Sequence, residues 1–100
     1  MSTHVWVIAL LNPDDRVMWP EVSEPMTEPE ALAAYWRALM MLGAEAGSGE
    51  TVTVRRGDAV AQVGVIELAG RTPLEAADAW AQDAARILRN LGIDAQVGRR

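Results

Sequence analysis

The phrase "TEPEALAAYW", which begins at Thr27, returns 45 residues later as "TPLEAADAW" at Thr72. Both are helix starts. Thr stands at the N-cap, Glu follows three positions on to complete a capping box, and Pro falls in the first turn, where its missing N–H costs nothing. Both runs end alike, "LMMLG" at Gly43 and "LRNLG" at Gly92, with glycine where a left-handed stop is wanted. Two helices are therefore expected, over about 28–42 and 73–91. Leu32, Trp36, Leu39 and Met40, with Tyr35 beside them, give the first its apolar positions. Leu74, Ala77, Ala81, Ala84, Leu88 and Leu91 form the stripe of the second, flanked by Trp80 and Ile87. Trp36 and Trp80 fall on these stripes and read as core.

The two helices confine the strands to what remains. "HVWVIALL" predicts a strand over His4 to Leu11, apolar on both faces. "ETVTVRR" alternates, and Gly57-Asp58 then supplies a two-residue turn into "AVAQVGVIELA". The tripeptide Arg56-Gly57-Asp58 is read as that turn and not as an adhesion signal. "IDAQV" turns Ile93, Ala95 and Val97 inward as a last strand, and residues 98–100 are a tail. The order strand, helix, strand, strand, helix, strand resembles the split-βαβ, ferredoxin-like arrangement. That resemblance implies an α+β domain over residues 1–100, with a four-stranded antiparallel sheet and both helices on one face. A fold with two equivalent halves presents the same strand-to-helix junction twice, which explains the doubled cap.

The halves differ most at residues 12–26. The stretch "NPDDRVMWPEVSEPM" holds Pro13, Pro20 and Pro25 without sustained periodicity and reads as a long insertion loop. It also begins the charged part of the chain. Asp14, Asp15, Glu21, Glu24, Glu28 and Glu30 face one base, Arg16, and so account for the whole net charge of −5. An acidic balance argues against nucleic acid and anionic membranes as partners. The absence of Cys removes disulfides, thiolate catalysis and Cys-ligated zinc, and suits a cytoplasmic protein.

Relatives of the ferredoxin-like shape are tested by their own residues. RNA-recognition motifs need aromatic and basic side chains on the central strands, which "AVAQVGVIEL" lacks. Metallochaperones of this shape need Cys-x-x-Cys. Anion-cradling enzymes need a basic first loop, and this one is acidic. Asp14-Asp15-Arg16 with Glu21 or Glu24 matches no calcium-loop spacing, so no metal and no cofactor are expected. His4, the only His, reads as ordinary surface.

Function is therefore expected in binding and not in catalysis. A sheet with both helices on one face leaves the other open. Trp6, Ile8, Thr53, Arg55, Val60, Gln62 and Ile66 are the residues assigned to a homodimer interface there. The acidic loop, through Asp14, Asp15, Arg16, Met18, Trp19, Glu21 and Glu24, is expected to contact a second protein, with Trp19 as an anchor. The alternative is an enzyme or small-ligand binder of the dimeric α+β barrel kind. Its pocket would lie between sheet and helices, lined by Trp6, Trp19 and Tyr35, with His4, Asp15 or Arg16 as polar groups.

Overall fold

The computed structural model describes residues 3–14, 16–44 and 51–98. The chain is α+β, in the order β1 (His4–Leu11), β2 (Val17–Val22), α1 (Glu28–Met41), β3 (Val52–Arg56), β4 (Ala59–Glu67), α2 (Pro73–Asn90) and β5 (Gln96–Val97). The five strands form one open, mixed sheet in the order β3-β4-β1-β2-β5, antiparallel throughout except for the parallel pair β2/β5.

The expected insertion loop is thus half strand. β2 returns along β1 as its antiparallel neighbour, Ile8 facing Glu21 and Leu10 facing Trp19. It slots between β1 and β5, which makes the sheet five-stranded and mixed where four antiparallel strands were expected. Pro20 hid it, because proline inside a run argues against a strand. The bonds Asn12 N–H to Val17 O and Ser23 N–H to Trp6 O set the phase of the ladder. In that phase Pro20 lies at a position that gives β1 no hydrogen bond. Its nitrogen faces the other side, where β5 reaches only Val17 and Met18. The proline therefore costs the sheet no ladder bond. Beyond Ser23 the register slips by one residue, so that His4 pairs with Met26. Glu24 and Pro25 together oppose the single residue Val5, a bulge that bends the chain into the Thr27 cap.

The helices lie on opposite faces, which corrects the expectation of one shared face. α2 packs on Val5, Val7, Ala9 and Leu11 of β1 and on Met18 of β2. α1 packs through Tyr35 and Leu39 on Val63, with Ile8, Val52, Val54 and Val65 around them. Val5 to Leu11 at odd positions and Ile8 at an even one point to different sides of a strand. The helices do not touch each other. The reason lies in the inserted β2: it carries the chain back to the bottom of β1 before α1 begins, so α1 is no longer a crossover from β1. β1 is apolar on both faces because each face is covered.

The α2 stripe is rotated from the one expected. Ala76, Ala77, Trp80, Ala81, Ala84, Ala85 and Leu88 are buried, while Leu74 and Leu91 are exposed. Small alanines let the helix lie close to the sheet, and at Gly64 the approach is closest. A Cβ there would stand 2.8 Å from Trp80 Nε1. On α1, Tyr35 and Leu39 are buried but Trp36 and Met40 face outward, so Trp36 is not core.

Both capping boxes are present as read. Thr27 Oγ1 accepts from Glu30 N–H at 3.3 Å, and Thr72 Oγ1 accepts from Glu75 N–H at 3.2 Å; each Glu carboxylate accepts from its cap N–H in return. Gly43 and Gly92 close the helices with positive φ, and Ala44 N–H and Ile93 N–H reach back to Leu39 O and Leu88 O. Replacing Thr27 or Thr72 by Ala should each cost about 0.5–2 kcal/mol, read from chemical denaturation. Hydrogen bonds from the Thr72 backbone and side chain hold the Glu75 carboxyl below its ordinary value of 4.5, and those from the Thr27 side chain and backbone do the same for Glu30. A carboxyl lowered on folding stabilises above its unfolded value and loses that contribution as pH falls through the folded one. Both boxes should therefore hold at neutral pH and weaken below about 4.5. In the double variant Glu30→Gln, Glu75→Gln, that part of the acid dependence of the thermal midpoint should disappear.

Candidate functional site

Where α1 ends, the sheet face beneath it is left uncovered, and a groove opens there. Its floor is Ile8 and Leu10 of β1 with Ala61 of β4 and Val54 of β3. Leu42, just past α1, and Ala59 of β4 also line it, and Trp19 of β2 forms a wall. The volume is about 510 Å³, and Asn12 and Glu21 are the polar side chains lining it. Leu10 is 58% and Trp19 41% exposed, high values for large apolar residues at the centre of a sheet. Glu21 stands opposite Ile8 on the same face, so its carboxylate is the one formal charge among the lining residues.

Strand alternation decides the roles of Met18 and Trp19. Met18 points to the α2 face, is fully buried and belongs to the main core. Trp19 points the other way, into the groove, with its ring pressed on the backbone of Gly98, where a Cβ would come within 2.6 Å. Gly98 N–H also donates to Met18 O at 2.8 Å. Gly98, expected in a tail, is thus the seat on which the Trp19 ring is set.

The other residues expected at the site are scattered. Asp14 lies in the β1–β2 turn, where its N–H donates to Asn12 Oδ1 at 2.9 Å; Asp15 lies outside the described residues. Arg16 takes a positive φ of 61° and lines a separate, smaller pocket of about 300 Å³ with Arg55, Asp58 and Asp94. Glu24 sits at the bulge past the end of β2 and does not line the groove. Among the described residues no three acidic or His side chains come together as a metal site would require.

The seven residues assigned to an open sheet face do not share one. Trp6 and Ile8 point towards α1. Thr53, Val60, Gln62 and Ile66 point towards α2, and Val60 and Gln62 are buried under it. Arg55 shares that side but is exposed at the rim. Gln62 is fully buried, its amide donating to Thr53 Oγ1 at 3.1 Å. With a helix on each side of the sheet, these residues form no single bare face on which two sheets could stack. The pocket foreseen between sheet and helices does exist in part. Trp19 lines it, but Trp6 and Tyr35 do not, and its polar groups are Asn12 and Glu21 in place of His4, Asp15 or Arg16. His4 is buried at the opposite end of β1, its Nε2 3.2 Å from the Glu28 carboxylate, and so ties β1 to the start of α1.

Sequence reasoning missed Leu10, Leu11, Asn12, Leu42, Val54, Ala59 and Ala61. The available signal was the alternation Val17, Trp19, Glu21, which repeats the period of β1 across Pro20.

The fold and the groove together define a class: a small α+β protein with an open mixed sheet, a helix on each face, and one apolar groove with a single acid on its wall. Comparison with protein-family models, with curated proteins and with solved structures finds no match.

Proposed function

We propose that this chain is a non-enzymatic protein-binding module. Its groove receives a large apolar side chain from a partner segment, with a basic residue of that segment placed against Glu21. The observation that carries this reading is the groove itself: apolar walls, two large exposed residues, and one carboxylate with no base among the lining residues. Of the chain's excess acid, Glu21 lies on the groove wall and Asp14 in the turn beside Asn12, while Glu28 and Glu30 stand at the other end of α1; the net charge of −5 gives a field that steers cationic partners. Catalysis has less support, since Glu21 is the one titratable group on the groove wall and has no second acid or base there to work with.

The test is a titration of short peptides, each with one Trp or Leu beside two Arg, against counterparts with Glu for Arg. The basic peptides should bind and the acidic ones should not, and added salt should weaken the binding. Leu10→Ser should weaken it about tenfold or more, and Glu21→Arg should reverse the charge preference. Equal binding of acidic and basic peptides would overturn the proposal. So would saturable binding of a small alkylamine alone, since a groove of this volume is also of small-molecule size.

A further inference from the structure

We infer that β3 is a self-association edge: two copies join their β3 strands antiparallel about a twofold axis at Val54, making one continuous ten-stranded sheet. The two sheet edges are treated differently by the sequence. On the far edge, β5 covers Val17 and Met18, Gln96 N–H and Gly98 N–H donate to Arg16 O and Met18 O, and the next outward position is Pro20, which has no N–H to offer. That edge is blunted. β3 carries no proline, and among the described residues β4 is its one neighbour in the sheet.

The direction of the free backbone groups follows from the turn. Gly57 has φ +60° and Asp58 is not left-handed, which is the two-residue type II′ hairpin. In such a hairpin the pair closing the turn, Arg56 and Ala59, is hydrogen-bonded, so Arg56, Val54 and Val52 aim their groups at β4. Thr53 and Arg55 aim theirs outward. A twofold axis at Val54 sets Thr53 opposite the second copy's Arg55, and the reverse. Both are outward-facing positions, so each pair exchanges two backbone bonds. Val54 then meets its own copy at a close, non-bonded position. No Arg stands directly across from another Arg, whereas an axis at Arg55 would pair like charges.

Charge placement selects a second copy as the occupant. Residues 51–67 hold Arg55, Arg56, Asp58 and Glu67 and are neutral, while Glu21 on β2 lies three strands away from β3. Joining at β3 leaves the two β2 strands seven strand spacings apart, about 34 Å, several Debye lengths at physiological salt. The self-repulsion of two chains of net charge −5 is thereby least at this edge. The inference does not depend on what the groove binds, and its test reads assembly, not peptide affinity.

The chain has no Cys, so Val54→Cys carries a single thiol. At the non-bonded position two such Cα atoms stand about 4.5 Å apart, within reach of a disulfide. In oxidised glutathione Val54→Cys should become a covalent dimer, and Val52→Cys, which faces Arg56 of the copy, should cross-link at least about tenfold more slowly. Arg55→Pro removes an outward N–H that β4 does not use, at an exposed residue of the edge. It should keep the circular dichroism of the native protein and sediment as a monomer where the unmodified protein is a dimer. Equal cross-linking of the two Cys variants would overturn the inference, as would a folded Arg55→Pro protein that remains dimeric. An unmodified protein that stays monomeric at about 1 mM, where even a contact of about 4 kcal/mol is half formed, would overturn it as well.

Discussion

Trp80→Ala should lower the unfolding free energy by about 3–5 kcal/mol, a large share of the roughly 5–15 kcal/mol of a domain this size. Trp80 is 6% exposed, the largest side chain that α2 lays on the sheet. Its Nε1 donates to Thr51 Oγ1 at 2.8 Å, which ties the middle of α2 to the residue preceding β3. The indole can reach the sheet because residue 64 is glycine: an added Cβ would stand 2.8 Å from Nε1 and 3.3 Å from Thr51 Oγ1. Val7 is paired with Gly64 across the β1/β4 ladder, so neither strand has room to give. Gly64→Ala alone should therefore cost about 1–3 kcal/mol through overpacking. In the Trp80→Ala background the same change should cost much less, because the methyl then enters the vacated space. Urea midpoints of the four proteins measure the coupling. Additive losses would mean that Trp80 does not lie on Gly64.

The parts of this fold legible in the sequence are those that local chemistry decides. The two capping boxes, the glycine stops, the β1 run and the Gly57 turn each satisfy backbone groups within a few residues, and all are present. What was illegible is non-local. Pro20 lies in a strand that tolerates it only because β5 stops at Val97, and nothing in "VMWPEV" announces where another strand ends. Without β2, the choice of face for α1 could not be made. The even-numbered β1 residues then looked like an open surface when they are the floor under α1. The apolar stripe of α1 failed for a related reason. Trp36 and Met40 fit a helical period, but the helix buries a narrower strip around Tyr35 and Leu39, since its end overhangs the groove. Trp19 was found as an anchor candidate, while its neighbours in the groove come from four separate elements and have no common sequence mark.

Met18→Ala and Trp19→Ala should separate stability from binding at two adjacent residues. Met18 is fully buried in the core beneath α2, so its truncation should cost about 2–5 kcal/mol and leave the peptide affinity of the folded fraction unchanged. Trp19 is 41% exposed and rests one ring face on Gly98, so its loss should cost only about 1–2 kcal/mol. The same change removes the groove's wall and should weaken basic-peptide binding on the order of 100-fold, the size of an aromatic hot spot. Gly98→Ala gives a third reading, because a methyl 2.6 Å from the ring must displace the indole without deleting it. Affinity should fall there too, with the Trp emission shifted. The pattern follows from β2 being a strand: alternation sends one side chain to each face of the sheet. If the segment were the irregular loop that its prolines suggest, Met18→Ala would leave the denaturation midpoint where it is, and that result would remove β2 from the sheet and the wall from the groove.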